Sequence, residues 1–445
     1  MEFGCEVAYP IFMQKITNFF KYFAFMILTL AFVFGCQHKQ VIVLERNIAK
    51  ADDSDHKKHK EHFKKTDSAE RLKIIADAEI FIPQDKPVES MQIVEDLVKP
   101  NCDANFSYLE NGKVNWPEYT CRYIADSDQT KKKLGGGSPK FLCEFDDPTK
   151  KSGKSVRRVK YSNANLFKFK GEVPDVILAS SISKLMGFPT NFYCPMQITC
   201  IGCPSDDPWE KNSHASSAAQ EGAVVKFPNA MSNIDFPGYV ISTGDDKKTI
   251  QWDELKLAKL PNASEADDAE RVRKLIEREA WMLWFHFIQH TDAHAENQHV
   301  ACLKAKTDSS GTVECERSAI YAHDYGHAFN THLNLQLGWS QNPTFQSGLN
   351  ECKGILDSKG GVKPRPAVGG LIMGSRISDE ARALLVSRLE KITDDQWKQA
   401  FLLARADKAS RTTATDWLDM VKTKIRDLQT VRCPAFSEGK SVLAK

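Results

Sequence analysis

His290-Thr-Asp-Ala-His-Ala-Glu-Asn297 and His323-Asp-Tyr-Gly-His-Ala-Phe329 are the two stretches on which the fold turns. A periodic segment precedes the first, running from about Ala266 to His290 with Val272, Leu275, Ile276, Leu283 and Phe287 on one face and acidic residues at its start, which predicts a long amphipathic helix. Between the two stretches, short apolar runs flank Asp308-Ser309-Ser310-Gly311, a turn sequence, so a hairpin is expected to bring the second back to the first. Asp292, Asn297 and Asp324 then supply a carboxylate, an amide and a second carboxylate. Such oxygen donors hold magnesium and orient a group attacking a phosphate.

The five-residue step from Asp292 to Asn297 is that of the protein-kinase catalytic loop, and Asp324-Tyr-Gly326 stands where a kinase Asp-Phe-Gly would fall. Thr291 to Asn297 is similar to the catalytic loop of HipA-type bacterial kinases. The Asp-x-His-x-x-Asn spacing followed by His323-Asp-Tyr-Gly-His327 resembles phosphoinositide 3-/4-kinases. The resemblance is motif-level over residues 290 to 329 and loose over about 135 to 405. It implies an α+β, two-lobed protein-kinase-like fold, with an antiparallel sheet and one helix in the N-lobe and a mostly helical C-lobe. It also implies Mg and ATP as cofactors, Asp292 as catalytic base or orienting residue, His294 as a loop residue near the transferred phosphate, and Asn297 and Asp324 as metal ligands. A strand lysine and a helix acid complete the pattern: Lys160 and Glu172 resemble that pair, with Lys168 and Lys170 competing for the first role and Asp175 for the second.

The upstream region fits an N-lobe. Phe141 to Phe145 and Val156 to Tyr161 read as a hairpin across a turn-forming run. Gly135, Gly136 and Gly137 precede it as a loop whose backbone can approach a phosphate. Val173 to Met186 reads as an amphipathic helix ending at Gly187. Three further helices are expected at Asp379 to Glu390, Asp394 to Arg405 behind a Thr393/Gln396 capping box, and Thr415 to Thr430.

At the N-terminus, Lys15 and Lys21 precede an apolar stretch, Tyr22 to Gly35, that ends at Cys36. That is the layout of a secretory signal. The 16 uncharged residues between Lys21 and His38 fall short of the roughly 20 a spanning helix needs. Phe32-Val-Phe-Gly-Cys36 resembles a bacterial lipobox with a bulky Phe34, so Cys36 is the expected lipid, for example palmitate, site. The alternative is an ordinary signal peptide with Cys36 buried or paired. The expected organisation is a signal over 1–35, a charged tether over 36–94, and lobes over 95–227 and 228–445. The mature chain would be a membrane lipoprotein facing the periplasm or cell exterior, its partners the membrane and a phosphate acceptor.

A balance of 60 basic and 58 acidic residues, net +2, gives no field to hold a polyanion, so no nucleic-acid partner is expected. Apart from Cys5 and Cys36 ten cysteines remain, an even number that in an exported chain reads as disulfides. Cys302 and Cys315 can pair across the hairpin, whereas Cys200-Ile-Gly-Cys203 admits a disulfide, a redox or a zinc reading. Two further functions stay open. His286, His290, His294 and His299, with Asp292, His323, Asp324 and His327, can build a zinc or two-metal hydrolase site. A catalytically inactive binding lipoprotein is the other.

Overall fold

The longest helix, Glu265–Phe287, starts at a capping box: Ser264 Oγ accepts from the Asp267 N–H while the Asp267 carboxylate accepts from the Ser264 N–H. Its second half is buried on every side, from Arg278 through Trp281, Trp284 and Phe287. It is the axis of the C-terminal half.

This computed structural model describes residues 53–110, 112–124, 139–147, 152–162, 172–204, 224–242, 249–250, 252–257, 264–290, 297–326, 328–329, 377–410 and 412–437. Cys36, Gly135 to Gly137, Lys168, Lys170, Asp292, His294 and His327 lie outside the described residues. The chain divides into two units, Met1–Lys58 and His59–Lys445. Of the first, the described residues 53–58 are helical.

In chain order the helices are α1 (Asp53–Phe63), α2 (Ser68–Asp77), α3 (Glu172–Leu185), α4 (Glu265–Phe287), α5 (Asp379–Leu389), α6 (Asp394–Leu403) and α7 (Ala414–Thr430), besides shorter turns. The strands are β1 (Leu109–Glu110), β2 (Lys113–Val114), β3 (Glu118–Tyr123), β4 (Lys140–Asp146), β5 (Lys154–Tyr161), β6 (Phe192–Ile201), β7 (Val224–Ile234), β8 (Tyr239–Val240), β9 (Gln298–Thr307) and β10 (Val313–Ala322). The fold is thus a mixture of helices and sheets. No helix among the described residues is long and apolar enough to cross a membrane.

The expected N-lobe sheet is a closed barrel of order β3-β4-β5-β7-β6. Four of its seams are antiparallel and the fifth, β3 to β6, is parallel, which corrects the expectation of an antiparallel sheet. Closure removes the unpaired edges that an open sheet would leave. Phe141, Tyr161 and Phe227 pack inside, with ring centroids 4.7 to 5.5 Å apart. Helix α3 is almost wholly buried and ends at Gly187, whose φ of +84° and the carbonyl of Ile82 at 2.8 Å from any Cβ leave glycine the fitting residue.

The folded region starts well before residue 95. Phe63, Ile74, Ile75, Ile80 and Ile93 belong to the main core, and Gln396 on α6 donates to the carbonyls of Val88 and Met91, both at 2.6 Å. A few well-spaced apolar residues suffice to dock a charged segment, because its polar residues need only face solvent. Four disulfides staple the chain: Cys102–Cys194, Cys121–Cys143, Cys200–Cys203 and Cys302–Cys315. Cys433 is disulfide-bonded too.

Candidate functional site

Three elements distant in sequence deliver the charged groups of one buried cluster. β5 carries Lys160 near its end, α3 begins with Glu172, and Asp324 follows the last residues of β10. Lys160 Nζ donates to Asp324 Oδ2 and lies 3.6 Å from Glu172 Oε2. One buried ammonium therefore bridges the strand, the helix and the Asp-Tyr-Gly turn.

Gly326 shows how tightly the turn fits. Its N–H donates to Asp324 Oδ1 at 2.9 Å, and a Cβ there would sit 3.0 Å from Glu172 Oε2. A side chain would crowd the Glu172 carboxylate. Tyr325, between them, is held from behind: Trp284 Nε1 donates to Ser183 Oγ at 2.8 Å, and Ser183 donates to the Tyr325 hydroxyl at 2.7 Å. Helices α3 and α4 are thereby tied to the turn.

The hairpin β9–β10 returns the chain as its sequence requires. Gln298 stands opposite Ala322, and the Asn297 carbonyl accepts the His323 N–H at 2.8 Å. Asn297 and Asp324 thus flank one end of the hairpin, although 26 residues separate them. Asn191 Nδ2 donates to the His323 carbonyl at 2.9 Å, as does the Tyr193 hydroxyl, and the His299 and His323 rings stack at 4.4 Å.

Electrostatics set the charge states. Burial opposes ionisation of Asp324, but the charge and hydrogen bond of Lys160, with help from the Gly326 N–H, outweigh it and hold the carboxyl well below its ordinary range. Burial likewise opposes charge on Lys160, and Asp324 and Glu172 overcome it, so its pKa rises. Lys140 is the residue that sequence reasoning missed. It is the cross-strand partner of Lys160, 4 % exposed, and burial with the neighbouring Lys160 charge pushes it down to about 8. Directly opposed residues on antiparallel strands face the same way, so both lysines serve one face.

The histidines divide. His286 is buried in α4 and pushed down to about 3 by that burial, which leaves it neutral. His290 packs its ring against Phe285 and Tyr325. Among the described residues, the side chains that cluster as metal ligands would are Cys121, Cys143 and Cys200, and no histidine is in that group.

The cluster combines two buried lysines, an ionised carboxylate beside the Asn297 backbone, and a second acid against Lys160. No protein-family model matches the chain, and no curated protein matches it.

Proposed function

We propose that the chain is an exported, Cys36-lipidated protein whose folded part is a two-lobed kinase-like phosphotransferase working on a magnesium-bound nucleotide such as ATP. The observation that carries this reading is the meeting of Lys160, Glu172 and Asp324 at one point. Two acids from separate elements face Lys160 and its buried neighbour Lys140, and one of the acids sits on a glycine-bearing turn beside Asn297.

The residues fit the group they would hold. Asp324 is kept ionised, and carboxylate and amide oxygens are the donors magnesium prefers. Asp324 and Asn297 would hold the ion, and the chemistry it would supply is neutralisation of phosphate charge. Lys160 and Lys140 would take the remaining phosphate oxygens through charge-assisted hydrogen bonds. Glu172 keeps Lys160 aimed. Asp292, carried over from the resemblance, would orient the acceptor hydroxyl or take its proton.

Melting of the whole chain with and without Mg-ATP tests the reading. At 100 times its dissociation constant a ligand adds about 2.7 kcal/mol, and chelating the magnesium should remove that gain. Asp292→Asn should leave binding intact while phosphate transfer falls by about 1000-fold. Binding without transfer in the parent chain would leave a nucleotide-binding lipoprotein. Absence of magnesium-dependent binding would end the kinase reading. The anchor is tested separately: Cys36→Ser should abolish fatty-acid labelling, and labelling that persists would remove Cys36 from the proposal.

A further inference from the structure

Four cysteines gather around the parallel seam of the barrel. Cys121 on β3 stands opposite Cys200 on β6, and Cys143 comes from β4, the other neighbour of β3. The Sγ atoms of Cys121, Cys143 and Cys200 lie within 4.8 Å of one another, and Cys203 is bonded to Cys200. All four residues are at most 2 % exposed. The two disulfides leave the seam itself uncrossed, since one joins β3 to β4 and the other joins β6 to the turn after it.

The Cys200-x-x-Cys203 step is a chelating spacing that lacks partners in the sequence, because no second such motif exists. The barrel supplies them as Cys121 and Cys143. With zinc–sulfur bonds of about 2.3 Å, a tetrahedral site sets its sulfurs about 3.8 Å apart. Each bonded pair would have to open by about 2 Å, the gaps from Cys200 to Cys121 and Cys143 to close by about 1 Å or less, and Cys203, which lies outside that 4.8 Å group, to swing further about its own side-chain bond.

We propose that in the reduced chain Cys121, Cys143, Cys200 and Cys203 form a tetrathiolate site for zinc. The metal then closes the seam that the two disulfides flank in the oxidised chain. The chemistry balances with a phosphine or dithiol reductant. Each disulfide takes up two electrons and two protons, while the phosphine becomes its oxide with water supplying the oxygen and both protons, or the dithiol gives up its two thiol protons and becomes a disulfide. Zinc binding then releases four protons to solvent, one from each thiol. Because a thiolate site of this kind does not exist in an unfolded chain, its binding energy adds to the stability of the barrel.

The test uses the full chain, oxidised or reduced by a phosphine, incubated with zinc and freed of excess metal by gel filtration. Reduced protein should retain about one zinc per chain, melt higher with zinc than without, and show thiolate charge-transfer absorption when loaded with cobalt instead. Oxidised protein should retain none. Replacing Cys200 and Cys203 together by Ser should lower the retained zinc at least tenfold. The Cys302→Ser, Cys315→Ser pair should leave it unchanged. Circular dichroism of each oxidised variant checks its fold. Equal zinc in the two double variants, reduced protein that stays folded without taking zinc, or reduced protein that unfolds in the presence of zinc would each overturn the proposal and leave four cysteines in structural disulfides only.

Discussion

Two of the buried cations among the described residues are treated in opposite ways. On α4, Arg278 is 0 % exposed and donates to the backbone carbonyls of Leu255, Ile75 and Ala76. On β5, Lys160 is met by the carboxylates of Glu172 and Asp324. Carbonyls cannot change charge or leave, so Arg278 is a fixed strut that ties α2 and the turn before α4 to that helix. Carboxylates on a turn can exchange partners, and the ammonium they hold is ready for another anion. A buried cation among backbone carbonyls therefore reads as architecture, and one between acids from separate elements reads as a site.

The sharpest way to break that contrast is at Arg278. Arg278→Met leaves three carbonyl acceptors without their donor and should cost on the order of 4 kcal/mol by chemical denaturation. Nucleotide binding by the protein that remains folded should be unaffected. A loss under about 1 kcal/mol would show that the carbonyls do not depend on the guanidinium.

Asp324→Asn should do the reverse. It removes a charge that both Lys160 and a magnesium ion would use while keeping the shape, and should weaken Mg-ATP binding by about 100-fold, ~3 kcal/mol, with a loss of folding stability smaller than at Arg278 because Glu172 still faces Lys160. Calorimetric titration decides it. Binding as tight as in the parent chain would free Asp324 from any part in holding the metal.

The smallest effect, and the one that separates site from scaffold most finely, belongs to Lys140. Its pKa is lowered from 10.5 to about 8 on folding, by burial first and then by Lys160, against the pull of Asp324 and Glu172 and with a further push from Arg158. Between about pH 8 and 10.5 the unfolded chain then holds more protons, so stability rises with pH across that window. Below it the charged, buried ammonium is a burden. Lys140→Met should stabilise the empty protein by on the order of 1 kcal/mol at pH 7, and the gain should shrink as the pH climbs through the window. Phosphate binding should weaken in the same variant. A pH-independent stability difference would show that Lys140 is not buried as a cation.

The sequence was legible where a local pattern decides the outcome. Helix α4, the capping box of α6 and the hairpin β9–β10 each depend on residues a few positions apart, and all are present near the expected bounds. The parallel β3–β6 seam was not legible. Glu-Tyr-Thr-Cys-Arg-Tyr, residues 118 to 123, is short and half-exposed, and its partner lies about 80 residues downstream. Lys140 was missed for a related reason, since a strand lysine is usually solvated and only the fold puts another lysine across from it. The charged segment over 36–94 misled differently: composition measures how many apolar residues a stretch has, while docking depends on where the few fall.

That segment also shields a neighbour. In the sheet β10-β9-β8, strand β10 is an outer strand, and its free side is met by Glu79, whose N–H donates to the Ser318 carbonyl at 2.9 Å and whose carbonyl accepts the Ile320 N–H at 3.0 Å. Removing the chain through Glu79 would strip those bonds and leave the Ser318 carbonyl and the Ile320 N–H without them, while Ala322 keeps its bonds to Pro189 and Asn191. Proteolytic trimming to that point should therefore open the middle of β10 to strands from other molecules, which light scattering of the trimmed protein would detect as association.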